Sequence, residues 1–231
     1  MLSTLSILLI ISLVIVIHES GHYLSCRFFK TPVDEFSIFI GPKIFTLFYY
    51  KETEFTLRLI PIGGFIKIRN PEKGKPLERI IVSSAGPFAN FLTGLIIIMA
   101  IFVFKGSGIT DSIFHACKIF GMTVSAFIPA LGDITNNIQG PIGIGNAGSQ
   151  YIKEGIIPTL VFISVLNYSI CLINLIPIPI LDGFQIVLST IELVTKRKVN
   201  EKVVLVMHLM GACAVFTLIL FAFYNDIINL F

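Results

Sequence analysis

His18-Glu19-Ser20-Gly21-His22 holds the groups that metal-assisted hydrolysis uses. On a helix, residues four apart share a face, so the two imidazoles can bind one zinc ion. The glutamate between them lies where it can take a proton from metal-bound water. The motif ends an unbroken apolar run from Leu5 to Ile17. At 1.5 Å of rise per residue, His18 is about 20 Å along the helix from Leu5. Ionisable groups at such a depth are expensive and mark function by default. The competing reading is a chance match, with both histidines serving only as polar helix-end residues.

A catalytic zinc takes three protein ligands and keeps one position open. The best third candidate is Asp182, in the run Asn174-Leu-Ile-Pro177-Ile-Pro179-Ile-Leu181-Asp182-Gly183. Two prolines two apart cannot continue a regular helix. A bilayer tolerates broken backbone only where it is buried in protein or lines a polar cavity. Asn174 and Asp182 are therefore expected to face a cavity, although Asp182 taken alone is also a normal turn residue before glycine. Glu192 is less attractive as a ligand. It lies beside Lys196-Arg197-Lys198 and reads as a salt-bridging helix residue. His208 and His115 read as packed histidines. The four cysteines form no C-x-x-C pair and read as free, small apolar residues.

These residues need a membrane scaffold. Of 231 residues, 55% are hydrophobic and 13% charged, which indicates an integral membrane protein. Four segments, at about residues 2–24, 80–104, 156–176 and 203–224, reach the roughly 20 apolar residues that a span needs. Residues 113–131 are apolar but interrupted, and read as a helix lying in the membrane interface. No basic residue precedes the first span, so it does not read as a removable signal peptide. Residues 34–69 alternate β-branched and aromatic runs with turn residues (Gly41-Pro42, Pro61, Gly63-Gly64), the pattern of short strands and hairpins. The fold class expected is an integral membrane, mostly α protein. It has four transmembrane helices, a membrane-associated β-hairpin element between the first and second, and a single domain over residues 1–231.

Lys and Arg number ten from Arg27 to Arg79, three from Lys105 to Lys153, and four from Lys196 to Lys202. Basic residues stay on the cytoplasmic side, so the termini are expected outside and the motif toward the cytoplasm. The charges are interleaved with acids along membrane-flanking loops, which argues against nucleic-acid binding.

Five segments occur in order: His18-Glu19-Ser20-Gly21-His22; Pro61-Ile-Gly63-Gly64-Phe65-Ile-Lys67; Ala85-Gly86-Pro87-Phe88-Ala89-Asn90; Gly140-Pro141-Ile142; and Asn174-x-x-Pro177-x-Pro179-x-Leu181-Asp182-Gly183. Together they resemble the site-2 protease family of intramembrane zinc metalloproteases, and most closely its bacterial anti-sigma-factor-cleaving branch. The resemblance implies zinc on His18, His22 and Asp182, Glu19 as general base, and Asn174 in contact with substrate. It also implies the A-G-P-x-x-N helix for the second span, where Asn90 is a candidate for substrate or site support. Two features depart from the family. Many relatives carry PDZ domains between the second and third spans, and residues 105–158 leave no room for one. Relatives often follow L-D-G with Gly-His, where this chain has Phe184-Gln185.

The function expected is zinc-dependent cleavage of transmembrane segments of membrane-anchored proteins, such as anti-sigma-factor-like proteins or signal-peptide remnants. The setting is the inner, cytoplasmic membrane. Two alternatives carry different chemistry. A non-proteolytic metal-binding scaffold or inactive relative would not need Glu19. A metal transporter would need ionisable residues along a path rather than at one depth.

Overall fold

A computed structural model describes residues 2–71, 74–132 and 140–228. Helix α1 (Leu2–Phe28) leads into strands β1 (Val33–Tyr50) and β2 (Thr53–Ile68). Six further helices follow among the described residues: α2 (Pro76–Phe104), α3 (Ile109–Gly132), α4 (Pro141–Glu154), α5 (Ile156–Asn174), α6 (Asp182–Thr195) and α7 (Glu201–Ile228).

Among the described residues, five helices are long and apolar enough to cross a membrane: α1, α2, α3, α5 and α7. Four were expected from the sequence, with α3 lying in the interface. The first half of α3 runs antiparallel along α2. Ala116 packs with Ile98 and Ile101, and the Phe120 ring stands edge-on to Phe91 with centroids 5.0 Å apart. The helices are dressed for lipid rather than water. Leu9, Leu13, Phe88, Ile96, Leu209 and Phe216 point outward, while Ser12, His18, His22, Asn90, Ser164 and Asn167 are buried. This inversion of the usual soluble pattern, with the hydropathy of the helices, makes the chain a mostly helical, multi-pass membrane protein.

Helix α2 is the hub, in contact with α1, α3, α5 and α6. It meets α1 closely at Gly21, where a Cβ would collide with the carbonyl of Ala85. Small residues permit such approaches, which hold membrane helices by close packing. Helix α7 is more loosely attached. It touches the proline-containing turn at Gly211, which lies against Pro179, and reaches α4 through Asp226. The two Asp226 oxygens accept the backbone N–H groups of Gly140 and Gly143 at 3.0 and 3.1 Å, a carboxylate on a helix N-terminus.

The short strands expected over residues 34–69 are present as two long antiparallel strands with several register shifts. Residues 35–38 pair both with 64–67 and with 54–57, because each strand folds over at a glycine with φ of 89°, Gly41 and Gly63. The element is held to α1 by aromatic contacts of Tyr23 with Phe36 and Phe55. Polar anchors lie within it: Glu35 accepts from Thr56 at 2.6 Å and from Arg58 at 2.9 Å. This places residues 64–68 beside the histidine motif.

Candidate metal centre

Helix α1 carries His18 and His22 on one face, and α6 starts at Asp182. The turn between Asn174 and Asp182 brings the two helices together. It contains Ile180 at φ 89°, a conformation that a β-branched residue rarely adopts and that surrounding structure must enforce. The three side chains converge on one point. Asp182 Oδ2 lies 2.9 Å from His18 Nε2 and 3.2 Å from His22 Nε2, and the two Nε2 atoms are 3.1 Å apart.

The chemistry of this triangle fits a cation. His22 Nδ1 lies 2.7 Å from the carbonyl oxygen of Val82, so that nitrogen carries the proton and Nε2 keeps its lone pair. Asp182 Oδ2 is buried without a hydrogen-bond donor. Three electron-pair donors facing one another in a site where both histidines are buried repel unless a positive charge sits among them. Ligands about 2.0–2.2 Å from a tetrahedral zinc stand about 3.3 Å from each other, close to the spacings here. The residues therefore fit zinc.

The second helix shapes the centre. Gly86 faces both rings: a Cβ there would collide with His22 Nε2 and lie 2.8 Å from His18 Nε2. Asn90, fully buried one turn further on, places its amide nitrogen 3.5 Å from His18 Nδ1. Glu19 lines the same cavity as the two histidines. Phe65 and Ile66 line that cavity with it, and Gly64 lies against its stem.

That cavity, about 540 Å³, has Phe65, Ile66 and Ile68 on one wall, and Asn174 and Ile180 on another. Asn174 donates to the Ile170 carbonyl at 3.0 Å. The far end of the cavity is charged, lined by Glu78, Arg79, Glu192, Lys198 and Glu201. Arg79 and Glu192 form an ion pair there, and Glu192 also accepts the Val199 N–H at 3.0 Å. Burial by itself would raise the Glu192 pKa. The Val199 N–H and the Arg79 guanidinium outweigh it and hold the carboxyl below its ordinary value.

All six residues singled out in the sequence, His18, Glu19, His22, Asn90, Asn174 and Asp182, thus lie in or beside one centre. Glu192 has the ion-pairing place expected of it. His208 is outside the ligand cluster, its Nε2 3.1 Å from Gln185 Nε2 and its Nδ1 2.8 Å from the Val204 carbonyl. His115 stacks on Phe102 with ring centroids 4.0 Å apart. Motif reading did not reach Val82 and gave Gly86 no role. The four-residue spacing of Val82, Gly86 and Asn90 was the available signal, since it marks one helix face.

Two imidazoles and a carboxylate around a metal position, with Glu19 beside them in a membrane helix, are the set of groups that a membrane-embedded metallohydrolase uses. A family model described as "Peptidase family M50" matches residues 6–218, and the chain belongs to that family. It is the site-2 protease family that the motifs resemble, and its metal is zinc. Two similar bacterial proteins carry the name "Putative zinc metalloprotease". The one from Fusobacterium nucleatum is 41% identical over 98 residues, covering 38% of this chain and 29% of that protein. The one from Rickettsia conorii is 23% identical over an alignment of 357 residues that covers all of both chains. The "Regulator of sigma E protease" of Haemophilus influenzae is 33% identical over 100 residues, covering 43% of this chain and 23% of that protein. In the Fusobacterium and Haemophilus comparisons the match spans less than a third of the relative's length.

Proposed function

We propose that the protein is a zinc-dependent intramembrane endopeptidase that cuts transmembrane segments of single-span, membrane-anchored proteins. The observation that carries this reading is the convergence of His18, His22 and Asp182 with Glu19 on the same cavity, inside a membrane helix. In this reading His18, His22 and Asp182 are the zinc ligands. Zinc held there supplies Lewis acidity, lowering the pKa of a bound water to about 7 and polarising a peptide carbonyl. Glu19 accepts the proton of the attacking water and returns it to the leaving amine. Asn174, whose amide nitrogen is occupied by its own helix, offers its carbonyl oxygen to the substrate backbone.

A helical peptide bond is shielded, so the substrate must be extended to be cut. Residues 64–67 pair with β1 on one side and face Glu19 on the other. An extended substrate adding as a strand along this edge would lie beside Glu19 and the metal ligands.

The reading includes four spans within a single domain. Asp182 meets the end of α1 that carries the motif, so α5 starts on the opposite side of the membrane, where α2 ends. Residues 105–155 then begin and end on one side. In this reading α3 enters beside α2 without completing a span, and α1, α2, α5 and α7 are the four that cross. The distribution of Lys and Arg supports termini outside, the metal centre toward the cytoplasm, and a bacterial cytoplasmic membrane. The similarity to a regulator of sigma E protease supports anti-sigma-factor-like substrates, with signal-peptide remnants as the second class.

The test is reconstitution in liposomes with a tagged single-span substrate and zinc measured on the same samples. Wild type should cleave and Glu19→Gln should not, with zinc equal in both. Cleavage by Glu19→Gln at the wild-type rate would remove the proposed general base. A wild type that holds zinc but cleaves nothing in a panel of single-span substrates would favour a metal-binding scaffold.

A further inference from the structure

Val82, Gly86 and Asn90 are spaced four residues apart on α2 and form one stripe facing the two histidines. The carbonyl of Val82 takes the Nδ1 proton of His22, and the missing side chain of Gly86 makes room for both rings. Asn90 stands in the corresponding place beside His18. Its side chain is fully buried, its amide nitrogen lies 3.5 Å from His18 Nδ1, and its Oδ1 has no partner.

From this placement we infer that Asn90 is a positioning residue for the metal centre. Its amide oxygen accepts the Nδ1 proton of His18, so that His18 presents Nε2 to the ion. The inference rests on the zinc reading above and adds a second anchor to it. For His18 to offer Nε2 as a ligand, Nδ1 must carry the ring proton, and a buried N–H needs an acceptor. Asn90 is the polar side chain recorded in contact with that nitrogen. A half-turn of the amide exchanges two atoms of nearly equal size and brings Oδ1 to the place now held by Nδ2. Either orientation leaves one end of the amide without a protein partner. Only the one with oxygen toward His18 leaves Nε2 free for metal. The same helix then fixes both imidazoles, His22 through a backbone carbonyl and His18 through a side chain.

This differs from a substrate-binding role, and cobalt substitution separates the two. The full chain in detergent is stripped of metal and titrated with cobalt(II), and its visible absorption is compared for wild type, Asn90→Asp and Asn90→Leu. Asn90→Asp keeps an acceptor and loses the donor, so it should retain wild-type affinity and a wild-type-like spectrum. Asn90→Leu should bind cobalt about 10–100-fold more weakly and show an altered spectrum. Loss of affinity in Asn90→Asp would overturn the inference, because it would mean that the donor end matters. Asn90→Leu with unchanged affinity and spectrum but a raised KM for substrate would also overturn it and assign Asn90 to substrate binding. Should Asn90→Leu fail to fold, the near-isosteric Asn90→Asp still decides. A wild type that binds neither cobalt nor zinc would instead sink the metal-centre reading itself.

Discussion

At the scale of single residues, the proposed ligand and base roles can be told apart because they fall on different atoms. Asp182 Oδ2 sits between two Nε2 atoms, whereas Glu19 lies along the cavity wall by Ile66. Asp182→Ala is expected to purify without stoichiometric zinc, since two imidazoles alone make a weak site. Glu19→Gln should keep its zinc and lose cleavage by at least about 100-fold, the usual contribution of a positioned general base. Metal analysis and cleavage assays on the same preparations check both. Full zinc in Asp182→Ala would take that residue out of the centre. Gly86→Ala is a steric counterpart: its new methyl has nowhere to go but into the imidazoles, so metal binding should fall although no ligand has changed.

At the scale of elements, the metal centre depends on how α6 is held against α2. Asp182 is at one end of α6. The other end is tied by the Arg79–Glu192 ion pair and by the Val199 N–H on Glu192. Both side chains of the pair are largely buried, so removing one leaves an uncompensated charge. Glu192→Ala is expected to destabilise the protein by about 3 kcal/mol. The pH dependence follows from the lowered Glu192 pKa. A carboxyl whose pKa is depressed on folding contributes its stability in full above its ordinary value of 4.5, and loses it as pH falls through the lower folded value. The melting-temperature gap between wild type and Glu192→Gln should therefore be constant from neutral pH down to about 5 and close on further acidification. A gap that widened with acid would contradict the pairing. The β-element makes its own prediction. If substrate adds as a strand beside residues 64–68, prolines on the pairing edge of the substrate should lower cleavage while zinc stays bound. Helix-breaking residues in the substrate span should raise cleavage, since part of the unwinding is done in advance. Indifference to both changes would argue against strand addition.

At the scale of the whole molecule, the proposal concerns the path of the chain through the bilayer. In the proposed topology, which rests on the distribution of Lys and Arg, the loop after α2 is outside and the loop before it is cytoplasmic. In a background lacking the native cysteines, a thiol probe added from outside should reach a cysteine at Ser107 and miss one at Gly74. A cysteine at Gly132 tests α3. Labelling from outside fits four spans, and protection there with labelling from the cytoplasmic face would establish five. The expectation that residues 105–158 leave no room for a folded outer domain carries a prediction of its own. Substrates already shortened on the outside should then be cut faster than long ones. Equal cleavage across a series of outer-domain sizes would exclude a length filter.

The amino-acid sequence by itself determined the parts of this protein whose logic is local. Two histidines four apart share a helix face wherever that helix lies, and long apolar runs must be helices in a bilayer because no water is there to satisfy the backbone. Alternating β-branched residues broken by glycine and proline announced the strands of residues 34–69 for the same local reason. The position of Asp182 on the cavity was legible through the broken helix around Pro177 and Pro179. What the tertiary structure decided are contacts between distant segments, which no local pattern encodes. It brought residues 64–68 against Glu19, set Val82 and Gly86 around the rings, and paired Arg79 with Glu192 across 113 positions of sequence. It also laid the first half of α3 along α2, where the interrupted apolar pattern read as a helix in the membrane interface. Hydropathy reports how well a segment tolerates lipid, whereas depth and partner are set by packing against the helices already in place.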